Sequence, residues 1–105
     1  MRNSHITKKF NMLNINNIGN GVGIYAFWFN NRCIYVGKAE QQTLKERLIQ
    51  HYRNCHNDDL KLWIEVYGCK LQFCYLELQK NKNRVDFLER KFIYRLQPMT
   101  NIQLM

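Results

Sequence analysis

The sequence predicts a small α/β (α+β) domain: a three-stranded, mainly antiparallel sheet flanked by helices, in the order ββααβα. Three observations carry that expectation. Two apolar, β-prone runs separated by Asn30-Asn31 read as a hairpin. Downstream, apolar residues recur at helical spacing in three segments, with one strand-like run between the second and third. The chain has 105 residues, 46% hydrophobic and 13% aromatic, enough for one modest packed core.

Residues 1–21 are polar, asparagine-rich between Asn11 and Asn20, and read as an irregular lead-in to a domain at 22–105. Val22 to Phe29 is a strand with apolar residues on both faces, so it belongs in the sheet interior, covered on both sides. Asn30-Asn31 makes the turn, since asparagine tolerates positive φ, and Cys33 to Gly37 runs back. Thr43 with Glu46 forms a capping box ahead of a helix carrying Leu44, Leu48 and Tyr52. Asn57 or Asp58 caps a second helix, with a stripe of Leu60, Trp63, Ile64 and Tyr67 that Gly68 ends. Leu71 to Leu78 is the third strand. A last helix opens at Asn81 or Asn83 and runs to about Gln97, ahead of Pro98.

Sixteen Lys and Arg against eight Asp and Glu leave a net charge of +8, which favours a polyanionic partner such as nucleic acid. No apolar run approaches the ~20 residues that span a bilayer, and residues 1–10 lack a secretory signal's apolar segment. The expected compartment is the cytoplasm, with no membrane partner. Cys33, Cys55, Cys69 and Cys74 fit it as reduced thiols, because their spacings match no zinc template.

Glu89 is the sharpest chemical clue. Val85, Leu88, Phe92, Ile93 and Leu96 define one apolar arc of the last helix, and Glu89 falls near its middle. A carboxylate there loses hydration and needs compensation, either an arginine in a buried pair or a divalent cation. A hard oxygen ligand in a site that keeps most of its waters suits Mg²⁺. Arg47 and His51, at i and i+4, share one side of the first helix. Arg47 could clamp a phosphate oxygen; His51 could take a proton from water, or hold Tyr25 or the phosphate. Tyr25 and Tyr35 sit on the two hairpin strands. Lys38, just past the second strand, could supply the cation that favours a phenolate, and Gly37 offers a side-chain-free surface to a nucleotide backbone. Arg84, Lys91 and Arg95 cluster on one flank of the last helix, where they could track a phosphate backbone.

Gly23-Ile24-Tyr25, Tyr35-Val36-Gly37, Arg47, His51 and Glu89, followed by Pro98 and Asn101, resemble the successive signature positions of the GIY-YIG nuclease family. The resemblance runs from Gly23 to Asn101. It implies an endonuclease that hydrolyses DNA phosphodiesters in one step with one divalent metal, Mg²⁺ or Mn²⁺, held chiefly by Glu89. Tyr25 would match the general base or its hydrogen-bonding partner, and Tyr35 a hydroxyl positioning phosphate or water. Arg47 would steady the scissile phosphate, Lys38 match the lysine of members reading Tyr-Val-Gly-Lys, and Asn101 serve as a hydrogen-bonding residue. Members usually gain specificity from further domains or insertions, so the expectation here is cutting with little specificity, action as a homodimer, or dependence on a partner domain. The alternatives are a non-cleaving nucleic-acid-binding module of the same fold, and a basic interaction domain whose Glu89 sits in an ion pair.

Strand parity adds a geometric expectation. A regular two-residue loop would pair 25 with 36 and put Tyr25 and Tyr35 on opposite faces. A shared site therefore requires an odd loop or one β-bulge, with both hydroxyls opening beside Arg47 and Glu89.

Overall fold

The structure, a computed structural model, describes residues 7–100. It comprises β1 (Lys8–Lys9), α1 (Met12–Asn16), β2 (Val22–Phe29), β3 (Arg32–Ala39), α2 (Leu44–Asn54), α3 (Asp58–Tyr67), a 3₁₀ turn (Gly68–Lys70), β4 (Gln72–Leu78) and α4 (Lys82–Leu96). The sheet is antiparallel with four strands, not three, in the order β1-β4-β2-β3. The additional strand and α1 both lie in the segment expected to be irregular. Two residues are too few for an alternation to register in sequence. β1 forms because β4 presents an otherwise open edge: Lys8 faces Phe73, Lys9 faces Gln72, and the Phe10 amide donates to the Leu71 carbonyl at 2.9 Å. Asn11 caps α1 by accepting from the Asn14 amide at 2.8 Å, and Phe10, Ile15 and Ile18 are buried.

β2 is interior, as its two-sided apolar pattern requires. One face of the sheet buries Tyr25, Phe27, Ile34 and Phe73 with Leu44, Leu48 and Leu60 of α2 and α3, and with Phe10 and Ile15. The other buries Ile24, Ala26, Cys33, Val36 and Cys74 with Val85 and Ile93 of α4. The result is a helix–sheet–helix sandwich with α4 alone on one side.

The hairpin has a two-residue turn, with Asn30 at φ 49° and Asn31 at φ 65°, the left-handed values that twist-matched hairpins need. The register then shifts: Trp28 faces Cys33, but Phe27 faces Tyr35 and Tyr25 faces Gly37. Ile34 is the extra residue of a β-bulge, which brings Tyr25 and Tyr35 to the same face. Gly23, at φ 154°, allows β4 to approach closely, since a Cβ there would stand 2.0 Å from the Leu76 carbonyl oxygen.

The helix boundaries follow their caps. Thr43 accepts from the Glu46 amide at 3.1 Å while Glu46 accepts from the Thr43 amide at 2.9 Å. Asn57 caps α3 through the Leu60 amide, and Asn81 caps α4 through the Arg84 amide. Gln97 ends α4 in the left-handed conformation. The chain then returns to β3, where the Met99 and Thr100 amides donate to the Cys33 and Ile34 carbonyls. All four cysteines are free thiols. Among the described residues, no helix is long and apolar enough to cross a membrane.

Candidate active site

β3 is an edge strand, so its outer side opens between the α2 layer and the α4 layer. Residues that belong to opposite faces of the sheet meet across that edge. A cleft of about 540 Å³ there is lined by Tyr35, Lys38, Glu40, Gln42, Arg47 and Glu89. It brings together the arginine of α2, the carboxylate of α4 and one hairpin tyrosine.

Tyr25 lies behind this cleft and not in its wall. It is fully buried, with its ring 6.2 Å from Tyr35 and 5.4 Å from His51 between centroids. Its hydroxyl lies 2.6 Å from His51 Nε2, and His51 Nδ1 lies 3.2 Å from Cys55 Sγ. Cys55 in turn points its thiol at the Asn57 carbonyl, 3.6 Å away. One proton assignment satisfies every partner. The Cys55 S–H donates to Asn57, the sulfur accepts from His51 Nδ1–H, and the bare Nε2 accepts from the Tyr25 hydroxyl. Electrostatics agree with that assignment. Burial, followed by the charges of Arg47 and His56, pushes His51 down to about 4, so its ring is neutral at pH 7. Burial likewise holds Tyr25 well above its ordinary value, against the lowering effect of Arg47. Burial also raises the Cys55 thiol. Tyr35 is raised mainly by burial, with Arg47 opposing and Glu89 adding to the rise.

The expected cation-favoured phenolate is therefore corrected on two counts. Desolvation outweighs the nearby positive charge, and that charge comes from Arg47, not Lys38. Lys38 pairs across the hairpin with Ile24 and points to the α4 face. There it binds Asp86 and lies 3.4 Å from Glu40, while Lys82 bridges the same two carboxylates at 2.8 and 3.5 Å. Strand parity already contained this, because Lys38 is an odd number of residues from Tyr35.

Glu89 is half-buried at the side of α4 facing the β3 edge. Burial raises its carboxyl, with Lys38 opposing and Asp86 and Glu40 adding to the rise. Among the described residues Glu89 makes no ion pair, with an arginine or any other cation. Arg47 also lacks a carboxylate partner there and donates to Gln50 at 3.1 Å. Glu40 carries a buried carboxylate oxygen, Oε2, without a hydrogen bond.

Gly37 does not offer its bare surface to a ligand. A Cβ there would stand 2.4 Å from the Tyr25 hydroxyl oxygen and 2.7 Å from the Tyr35 ring, so the glycine makes room for the two tyrosines. The basic trio of Arg84, Lys91 and Arg95 is exposed but turned from the cleft, about 140° around α4 from Asp86, Arg90 and Gln97. Arg90, which follows Glu89 directly, is the helix's basic residue beside it and was not among the expected site residues. Its i−4 spacing from Asp86 puts the two on one side of α4, which the sequence already contains. Cys55 was also missed as the partner of His51, although the two stand at i and i+4. Asn101 lies outside the described residues. Among the described residues no three His, Cys, Asp or Glu side chains converge as a metal cluster.

Comparison with known proteins agrees with this arrangement. The structure superposes with TM-score 0.64 on the N-terminal GIY-YIG endonuclease domain of UvrC from Thermotoga maritima, bound to magnesium as its catalytic divalent cation. The two sequences are 25% identical, over 85% of this chain and 92% of that one. A point mutant of the same domain, also with its catalytic cation, gives TM-score 0.65 at 22% identity, over 85% and 91% of the two chains, and shows the likeness of fold. No curated protein matches the sequence. The family model of the GIY-YIG catalytic domain matches residues 21–102, which span both hairpin strands, the Arg47 helix and the Glu89 helix. With the bulged tyrosine hairpin and the edge cleft in place, the chain belongs to the GIY-YIG family.

Proposed function

We propose that this protein is a divalent-metal-dependent endonuclease that hydrolyses DNA phosphodiester bonds in one step at the edge of β3. The observation that carries this reading is the meeting, in one cleft, of two charges that make no ion pair among the described residues: the half-buried Glu89 carboxylate and the Arg47 guanidinium. A phosphate with its cation complements both at once. The donor set fits Mg²⁺ or Mn²⁺, since carboxylates too few to enclose an ion suit a cation that keeps most of its waters. Bound there, such an ion would supply Lewis-acid polarisation of the phosphate.

The chain's own residues do the rest. Arg47 holds a non-bridging oxygen and stabilises charge that grows in the transition state. Tyr35, in the cleft wall, orients the attacking water and accepts its proton as it passes its own to Tyr25. Tyr25 hands its proton to His51 Nε2, and Cys55 holds the ring in the tautomer that leaves Nε2 bare. A phosphate on Arg47 offsets the positive charge that depresses His51, so substrate binding itself strengthens the base. The leaving oxygen is protonated from the open cleft.

Supercoiled plasmid incubated with the wild type and Mg²⁺ tests this beside Glu89→Ala. Nicking by the wild type and none by the variant is the expected result. Plasmid that is bound and left intact by both proteins would overturn it in favour of the non-cleaving module.

A further inference from the structure

A second groove, of about 760 Å³, adjoins the cleft and shares Lys38 and Glu89 with it. It continues along α4 past Arg90 and Ile93 to Tyr94 and Gln97. Tyr94, in the last turn of α4, is 78% exposed. Of the groove's cations, Lys38 and Lys82 are already bound to Asp86. Arg90, exposed, makes no ion pair among the described residues. Gln97 donates its amide to the Tyr94 carbonyl at 2.7 Å, which leaves its side-chain oxygen as an acceptor.

We infer that this groove binds an unpaired nucleotide of the strand being cut, with its phosphate on Arg90 and its base stacked on Tyr94. The inference rests on the reading of the Glu89 cleft as the cutting site and names the form of substrate that site prefers. Glu89 and Tyr94 are five residues apart, ~7.5 Å along the helix axis and ~140° around it, which separates side chains ~5 Å from the axis by ~12 Å. That is about three to four stacked nucleotide steps of ~3.4 Å. A strand with its scissile phosphate at Glu89 therefore carries a base about three or four positions away past Tyr94. Within a duplex the faces of that base are covered by its neighbours, and only its edges reach a groove. An aromatic ring standing free beside a cation suits a base whose face is open, which is how single strands are held. The favoured substrate is thus DNA with unpaired nucleotides within a few positions of the cut, at a fork, flap or loop.

The test compares a splayed duplex with a fully paired duplex of the same sequence, cut by the full chain with Mg²⁺. The wild type is expected to show the lower KM on the splayed substrate. Tyr94→Ala raises that KM ~10-fold, with the loss confined to KM, and Tyr94→Phe restores it. An abasic nucleotide three or four positions from the cut raises KM for the wild type and not for Tyr94→Ala. Phe87→Ala, which removes an aromatic residue 64% exposed on the same helix but outside the groove, leaves the preference in place. Equal KM for both substrates, or equal losses from Tyr94→Ala and Phe87→Ala, would overturn the inference. So would a concentration-dependent dimer that Tyr94→Ala dissociates without any change in KM, since the face would then serve a second copy of the chain. Fluorescence anisotropy of a labelled splayed oligonucleotide without metal reads the same preference in binding alone. A wild type that binds it selectively yet cuts nothing would retire the nuclease reading and leave the groove standing.

Discussion

The two faces of the sheet treat their polar groups in opposite ways. On the α2 side, Tyr25 and His51 are sealed among Phe27, Leu48 and Ile34, and desolvation dominates each ionisation. On the α4 side, Lys38, Lys82, Asp86 and Glu40 form a partly hydrated network in which attraction dominates: hydrogen bonds from the two lysines hold Asp86 down to about 2. The first arrangement keeps neutral groups able to exchange protons. The second keeps charged groups charged. The proposed phosphodiester hydrolysis draws on both, and water would ruin the first as surely as burial would ruin the second. Placing them on opposite faces, and letting them meet only at an edge strand, serves the two requirements in a domain of this size.

Breaking the comparison at its meeting point has the largest expected effect. Glu89→Gln removes the carboxylate's charge without changing its shape, and cleavage should fall ~10³-fold or more while thermal unfolding is largely unchanged. Near wild-type Mg²⁺-dependent cutting by the variant would end Glu89's assignment to the cation. Arg47→Ala comes next. Turnover at saturating DNA should fall ~10²-fold while affinity changes little, because one cation among sixteen basic residues contributes little to a delocalised attraction. Equal losses in affinity and turnover would mean that Arg47 acts only as one more phosphate contact.

The proton-handling side is sharpened by pH. His51 titrates at about 4 in the fold against an ordinary value of 6.5, so between these values the unfolded chain binds the extra proton. The stability due to neutral His51 is complete above pH 6.5 and is lost as pH falls through 4, about 3 kcal/mol in all. Denaturant titrations should show this slope in the wild type and not in His51→Gln; a slope unchanged in the variant would move the proton uptake to another group. The smallest effect belongs to the hydrated network. Lys82→Ala removes an exposed cation whose partners retain Lys38, and it should not shift the denaturation midpoint measurably. A clear loss would show that the α4 side is as tightly coupled as the α2 side.

Local chemistry carried most of the fold into the sequence. The capping box at Thr43, the paired asparagines at 30 and 31 and the two-sided apolar run of β2 each act within a few residues, and each element formed where those signals put it. The bulge was legible for a subtler reason: two tyrosines of odd register can share a face only if one residue is inserted. β1 was not legible, because its two lysines become a strand only against the edge that β4 happens to leave open.

For the candidate site, the sequence by itself determined the chemical groups: a carboxylate set in an apolar helical arc, an arginine and a histidine one turn apart, and two tyrosines on a hairpin. Tertiary structure alone decided what each group faces. Sheet order made β3 an edge and so joined Arg47 to Glu89 across it. Packing put Tyr25 behind Tyr35, gave Gly37's space to their rings, and set Cys55 against His51. Helix phase turned Arg90 and Tyr94 into the groove that adjoins the cleft and left Arg84, Lys91 and Arg95 outside both. Residue type fixes what a group can do, and short-range periodicity fixes its direction within one element. Whether that direction ends in water, in a core or in a facing side chain depends on elements dozens of residues away, whose placement no local pattern encodes.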